Sequence, residues 1–148
     1  METIVVGVDG SEGARAALAF AAREAALRGA TLRVVTAWEL PYSAFSGGLM
    51  PPLNLAEVAR ENAEKVARAA AEEAEALEPE ISVEHLAVQG QPAEVLVGES
   101  RDAAVAVVGT RGHGGFASLL LGSVSQQVVH HAACPVVVVP RPATEPIG

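Results

Sequence analysis

The sequence has few aromatic residues, one cysteine and no long apolar run. Aromatic residues make up 3% of the 148 positions, which leaves little to stack on a flavin ring and disfavours a flavin-binding function. The single cysteine, Cys134, excludes an intramolecular disulfide, and its place at the start of an apolar run indicates a small buried residue rather than a reactive thiol. No run approaches the roughly 18 apolar residues of a membrane-spanning helix, and no basic leader precedes the first apolar run. We therefore expect a cytoplasmic protein with no membrane partner.

Basic residues are also scarce. Lysine and arginine together number 10, against 18 aspartate and glutamate residues, and the formal net charge is −8. Nucleic-acid binding needs a basic surface that displaces counterions, so we expect no nucleic-acid partner. Half of the residues are hydrophobic, which is enough for a packed core and excludes a disordered chain. We predict one folded domain over residues 1–140 and a flexible tail over 141–148.

Segments typical of strands and helices alternate along the chain. Apolar, β-branched runs predict five strands, at residues 3–8, 31–38, 81–88, 103–108 and 135–139. Helical spacing of apolar residues predicts helices that begin near Ser11, Asn54, Pro92 and Gly122. This alternation predicts an α/β fold, a single-domain, doubly wound, five-stranded parallel sheet with helices on both faces. Such sheets bind ligands beyond the carboxyl ends of their strands, where the strand order reverses.

The residues that follow the fourth predicted strand have chemistry suited to an anion. The segment GTRGHGGFASLLLGSVS, residues 109–125, contains five glycines, which allow successive backbone amides to approach a bound group. A helix that begins at Gly122 directs its unpaired N–H groups at such an anion. Ser123 and Ser125 add hydroxyl donors, and Arg111 adds a positive charge. The segment therefore predicts a phosphate-binding site.

The spacing of these glycines differs from the two common phosphate-binding motifs. No lysine precedes Ser123, as a P-loop requires, and no G-x-G-x-x-G follows the first strand. The pattern G-x-x-G, nine residues and G-S, formed by Gly109, Gly112, Gly122 and Ser123, resembles that of the universal stress protein family. The opening IVVGVDGSE and the closing CPVVVV are similar to the same family. The resemblance thus extends over essentially the whole chain, and it points to the ATP-binding subgroup.

This resemblance implies a sheet of order 3-2-1-4-5, in which the first and fourth strands are adjacent. It also implies binding of ATP, with Mg²⁺ carried by the nucleotide. Asp9 would lie against the adenosine, although a turn residue that bonds the backbone is the alternative for this aspartate. Backbone at Gly7 and Ala37 would border the base. The residues implied at the ribose and phosphates are Val108, Gly109, Gly112, Gly122, Ser123, Val124 and Ser125, and Arg111 lies among them in the sequence.

Three functions remain open for such a chain. The first is a stress-response module whose regulatory or interaction role depends on bound adenine nucleotide. The second is a slow ATP hydrolase or self-phosphorylating enzyme, and the third is a chaperone-like dimer that no longer binds nucleotide. The sequence has no G-x-S-x-G turn and no catalytic lysine for phosphoryl transfer, so we predict binding without catalytic residues.

Two further expectations concern metals and partners. No cluster of cysteine, histidine and carboxylate residues has metal-ligand spacing, so we predict no metal held by the protein alone. Val136–Val139 is apolar throughout and would form an edge of the sheet, and an uncovered apolar edge favours pairing with another strand. In the family this strand commonly pairs with its twin, which implies a homodimer.

Overall fold

Strands and helices alternate along the chain in the predicted order. The computed structural model describes residues 2–40, 54–110 and 122–140. The elements are β1 (Thr3–Gly7), α1 (Glu12–Arg28), β2 (Thr31–Trp38), α2 (Leu55–Leu77), β3 (Val83–Gln89), α3 (Pro92–Glu99), a 3₁₀ turn (Ser100–Asp102), β4 (Val105–Gly109), α4 (Ser123–His131) and β5 (Val136–Val139).

The five strands form one parallel sheet of order β3-β2-β1-β4-β5. Val5 of β1 pairs with Arg33 of β2 on one side and with Ala106 of β4 on the other. β1 and β4 are thus neighbours in space, although β2 and β3 lie between them in the sequence. The predicted α/β class and the strand order 3-2-1-4-5 are confirmed.

Alternate residues of the sheet pack against helices on opposite faces, as a strand's two-residue period requires. On one face, Ile4 and Val6 are buried against the alanine-rich sides of α1 and α2. On the other face, Val5 and Val35 are buried against α3 and against Val128 of α4. The helices that follow β1 and β4 therefore lie on opposite faces of the sheet, so the two neighbouring strands end in a crevice between helices.

Local sequence signals account for the ends of α1. The Ser11 Oγ accepts a hydrogen bond from the Ala14 N–H at 3.2 Å, which caps the helix N-terminus. Gly29 ends the helix in the left-handed conformation, with φ 66° and ψ 33°. Asn54 precedes α2, as predicted, but its φ of −100° and ψ of 16° depart from the extended backbone of a capping residue, and its side chain makes no capping hydrogen bond.

Two predictions need correction at the edges of the sheet. Cys134 is half-buried rather than buried, because it precedes β5, which pairs only with β4 among the described strands. Its partial burial is enough to raise the pKa of the thiol above its ordinary value. The other edge strand, β3, begins at Val83 instead of Ile81.

The predicted tail, 141–148, lies outside the described residues. None of the described helices is long and apolar enough to cross a membrane.

Candidate functional site

A cavity of about 520 Å³ opens beyond the carboxyl ends of β1 and β4, within the size range of small-molecule sites. Nine of the eleven predicted site residues are described, and all nine line this cavity: Gly7, Asp9, Ala37, Val108, Gly109, Gly122, Ser123, Val124 and Ser125. The other two, Arg111 and Gly112, lie outside the described residues. Segments far apart in the sequence therefore meet at one site, and their binding of ATP stays a prediction.

Two glycines at the ends of the central strands permit the close packing that shapes the cavity. A Cβ on Gly109 would lie 2.8 Å from the Gly13 carbonyl oxygen, so the first turn of α1 rests directly on the backbone of β4. A Cβ on Gly7 would lie 2.6 Å from the Leu96 Cδ1. Both glycines thus have a packing role in addition to their place in the cavity wall.

The α1 side of the cavity is polar and is organised by a short turn. Asp9 is exposed, and its Oδ1 accepts a hydrogen bond from the Ser11 N–H at 2.9 Å. Gly10 between them has φ 86°, which favours glycine. The turn interpretation of Asp9 is therefore correct, and the same side chain also lines the cavity, where its second carboxylate oxygen is free of that bond.

A second polar wall is the N-terminus of α4. Gly122 is the N-cap, and the first-turn N–H groups of this helix have no acceptor within it, so they can donate to a ligand. Ser123 is exposed at this end. Ser125 differs from the expected hydroxyl donor, because it is buried and its Oγ donates to the Gly122 carbonyl oxygen at 3.1 Å. Its hydroxyl hydrogen holds the helix start in place, whereas its backbone N–H remains at the wall.

The α3 side of the cavity is apolar, and most of it was not anticipated from the sequence. Three residues of α3 line it, Pro92, Val95 and Leu96, together with Val35 of β2. A usable signal was present, since Pro92 opens a helix directly after β3 and therefore at the same edge of the sheet. The remaining lining residues that were not assigned are Val8, Ser11, Glu12, Gly13, Ala14 and Thr110.

The charges at the cavity are acidic within the part of the chain that is described. Asp9 and Glu12 line it, and no lysine, arginine or histidine among the described residues does so. The described groups there that can donate to a phosphate include the backbone N–H groups at helix N-termini. No group of three or more histidine, cysteine, aspartate or glutamate residues with metal-site geometry occurs within residues 2–40, 54–110 and 122–140.

Thr110 adds one unusual polar group to the lining of the cavity. Its backbone N–H donates to the Val139 carbonyl oxygen at 3.1 Å, which extends the pairing of β4 and β5. Its hydroxyl is buried and has no hydrogen-bond partner among the residues that the structure describes. A buried unpaired hydroxyl is destabilising unless a partner reaches it, so this hydroxyl is a candidate hydrogen-bond partner for a group bound in the cavity.

Proteins of similar sequence share one description. The family model for the universal stress protein family matches residues 1–140. A universal stress protein of Thermus aquaticus is 40% identical over 147 aligned positions, which cover 93% of this chain and 98% of that protein. One from Mycobacterium tuberculosis is 38% identical over 163 positions, which cover 97% of this chain and 50% of the relative. This chain thus spans about half the length of the mycobacterial relatives that it matches.

Solved structures of the same fold include nucleotide complexes. A universal stress protein in complex with cAMP is 28% identical, with a TM-score of 0.70 over 95% of this chain and 98% of that one. A universal stress protein from Archaeoglobus fulgidus in complex with dAMP is 27% identical, with a TM-score of 0.66 over 94% of this chain and 98% of that one. Because the family model covers nearly the whole chain and the fold agrees, this chain belongs to the universal stress protein family.

Proposed function

We propose that this chain binds adenine nucleotides in the cavity at the carboxyl ends of β1 and β4. The observation that carries the proposal is that nine predicted site residues line one cavity, whose α1 and α4 sides are polar and whose α3 side is apolar. The α3 wall offers apolar surface for a base, and the N-terminus of α4 offers backbone donors for phosphate. Similar structures in complex with cAMP and dAMP support the same ligand class.

ATP is the nucleotide that we propose as the natural ligand, with Mg²⁺ brought in on its phosphates. The described wall of the cavity offers backbone N–H donors for the phosphates at the N-terminus of α4. A divalent cation would offset the repulsion between the phosphates and the nearby carboxylates of Asp9 and Glu12. The bound nucleotide would then serve a regulatory role in the stress response, in the cytoplasm.

The decisive test is calorimetric titration of the wild-type protein and of Gly122→Val with ATP, ADP, AMP and cAMP. Gly122 has φ −70° and ψ 169°, a backbone conformation that valine also adopts, so the substitution adds bulk at the helix N-terminus without backbone strain. We expect the wild type to bind and Gly122→Val to lose most of its affinity. Gly98→Ala is the matched control, since Gly98 lies in α3 outside the cavity.

Two outcomes would contradict the proposal. Absence of binding by the wild type would remove the nucleotide function, and unchanged binding by Gly122→Val would remove the assigned site. Phosphate release assayed over many turnovers separates binding from hydrolysis. Sustained release that Ser123→Ala abolishes would favour the slow hydrolase over the binding module.

We also propose a homodimer through β5. The four valines of β5 are only half-buried, and β4 is its one partner among the described strands. A second copy of β5 could pair with the other edge of the strand. Light scattering at micromolar concentration should give twice the mass of one chain. A mass of one chain at that concentration would refute this assembly.

A further inference from the structure

Leu96 occupies an unusual place in the cavity wall. It lies in α3 and is 5% exposed, and its side chain covers the end of β1. A Cβ added to Gly7 would lie 2.6 Å from Leu96 Cδ1, 3.0 Å from Cδ2 and 3.2 Å from Cγ. The isobutyl group therefore fills the space that a side chain of β1 would otherwise take.

The neighbouring positions on the same wall are small. Gly7 has no side chain and Ala37 has one methyl group. The other apolar residues that line the cavity are valines, alanines and a proline, so Leu96 has the largest apolar side chain among the described lining residues. The close-packed interior leaves little free space around such a residue. Leu96 is therefore the described apolar side chain whose truncation to alanine would remove the most volume from the wall of the cavity.

We propose that Leu96 is a specificity-determining residue that limits the size of the base accepted at the apolar end. The ligand class it selects is the unsubstituted adenine nucleotide, and adenine with a bulky substituent is excluded. This inference rests on the proposed function, since it requires the base to lie against the α3 wall. A hydrophobic pocket discriminates by size in this way, because added atoms meet packed side chains.

Calorimetry with AMP and with three analogues tests the role of Leu96. The analogues carry a benzylamino or phenyl group at C2, C8 or N6 of adenine. We expect the wild type to bind at least one analogue about tenfold or more weaker than AMP. Leu96→Ala should recover most of that loss for the same analogue. Val97→Ala is the matched control, because Val97 lies on the same helix but outside the cavity, and it should discriminate as the wild type does.

The outcomes separate this inference from the proposed function. No AMP binding by the wild type would refute nucleotide binding itself. Two results would refute only the role of Leu96. In the first, the wild type binds AMP and all the analogues with equal affinity. In the second, Leu96→Ala weakens the binding of AMP and of every analogue by the same factor. Melting temperatures of all variants establish that they are folded, and Leu96→Val gives a milder truncation with the same expected direction.

A second variant tests the contact on which the inference depends. Gly7→Ala forces the Leu96 side chain to move, because the atoms nearest to the added methyl group belong to the flexible end of that side chain. We expect Gly7→Ala to weaken AMP binding and the double variant Gly7→Ala with Leu96→Ala to restore it. If the double variant binds AMP no better than Gly7→Ala alone, Leu96 is not the group that the added methyl displaces, and the inference is wrong.

Discussion

The contact between Gly109 and Gly13 predicts that Gly109→Ala destabilises the protein even without ligand. A Cβ on Gly109 would lie 2.8 Å from the Gly13 carbonyl oxygen and 3.2 Å from its carbonyl carbon. Both atoms belong to the backbone of the first turn of α1, which is held by the Ser11 cap and by the buried Ala14 and Ala17. No rotamer change can relieve the contact, so the helix and the strand must separate.

The size of the effect can be worked out from that distance. Ordinary contact requires about half an ångström more than the 2.8 Å available. Overpacking of this kind costs about 1–3 kcal/mol. Because each 1 kcal/mol lowers the melting temperature of a protein of this size by about 2–4 °C, we expect a decrease of about 2–12 °C.

Gly98→Ala provides a matched control of opposite sign. Gly98 lies in α3, and apart from its chain neighbours and the backbone of its own helix, a Cβ there would have no heavy atom of the described residues within 4 Å. Alanine is favoured over glycine inside a helix by about 0.5–1 kcal/mol, so this variant should be more stable than the wild type. Urea unfolding followed by circular dichroism, without nucleotide, measures both. A Gly109→Ala variant within about 0.5 kcal/mol of the wild type would refute the close approach of α1 to β4.

Two charged or ionisable side chains away from the cavity yield further predictions. Arg33 Nε lies 2.7 Å from Glu84, and its Nη1 lies 3.0 Å from Glu99 and 3.1 Å from Asp102. The hydrogen bond to Glu84 raises the pKa of Arg33 more than burial lowers it. The stability that the charged guanidinium contributes is therefore fully present below the ordinary pKa of arginine, and it does not change between about pH 6 and pH 9. Arg33→Met should lower the free energy of unfolding by about 1–3 kcal/mol, equally at both pH values; a loss at only one of them would contradict this account. Burial raises the pKa of the Cys134 thiol, although a backbone hydrogen bond at Ala106 opposes it, so its reaction with a disulfide reagent near pH 8 should be slower in the folded protein than in urea. Equal rates in the two states would show that burial does not control this thiol.

The class of fold was predictable because its signals are local, whereas the strand order 3-2-1-4-5 was implied by the family resemblance. β-branched runs bounded by helical segments indicate strands buried on both faces, and βα alternation leaves few topologies. The position of the motif glycines at one edge of the sheet was predictable for a related reason. Adjacent parallel strands end at the same edge of a sheet, so the residues after β1 and β4 had to meet once those strands were neighbours.

The physical requirement for glycine at particular positions was not predictable from the sequence. Gly10, Gly29 and Gly90 have positive φ, which a turn pattern can suggest. Gly7 and Gly109 are glycines in regular strand, where a Cβ would meet Leu96 and the backbone of α1. Only the distance between elements far apart in the sequence reveals such a requirement.

The sequence by itself determined the class of fold, the order of elements along the chain and the segments after β1 and β4 that line the cavity, because hydrophobic period, helix caps and glycine spacing act over a few residues. The tertiary structure decided which atoms line the cavity and how closely the elements pack. The Ser125 hydroxyl donates a hydrogen bond to the Gly122 carbonyl oxygen, Cys134 is half-buried beside the edge strand, and Leu96 packs on β1. These outcomes depend on strand register and on how closely each helix packs on the sheet, which are properties of the whole core rather than of any segment.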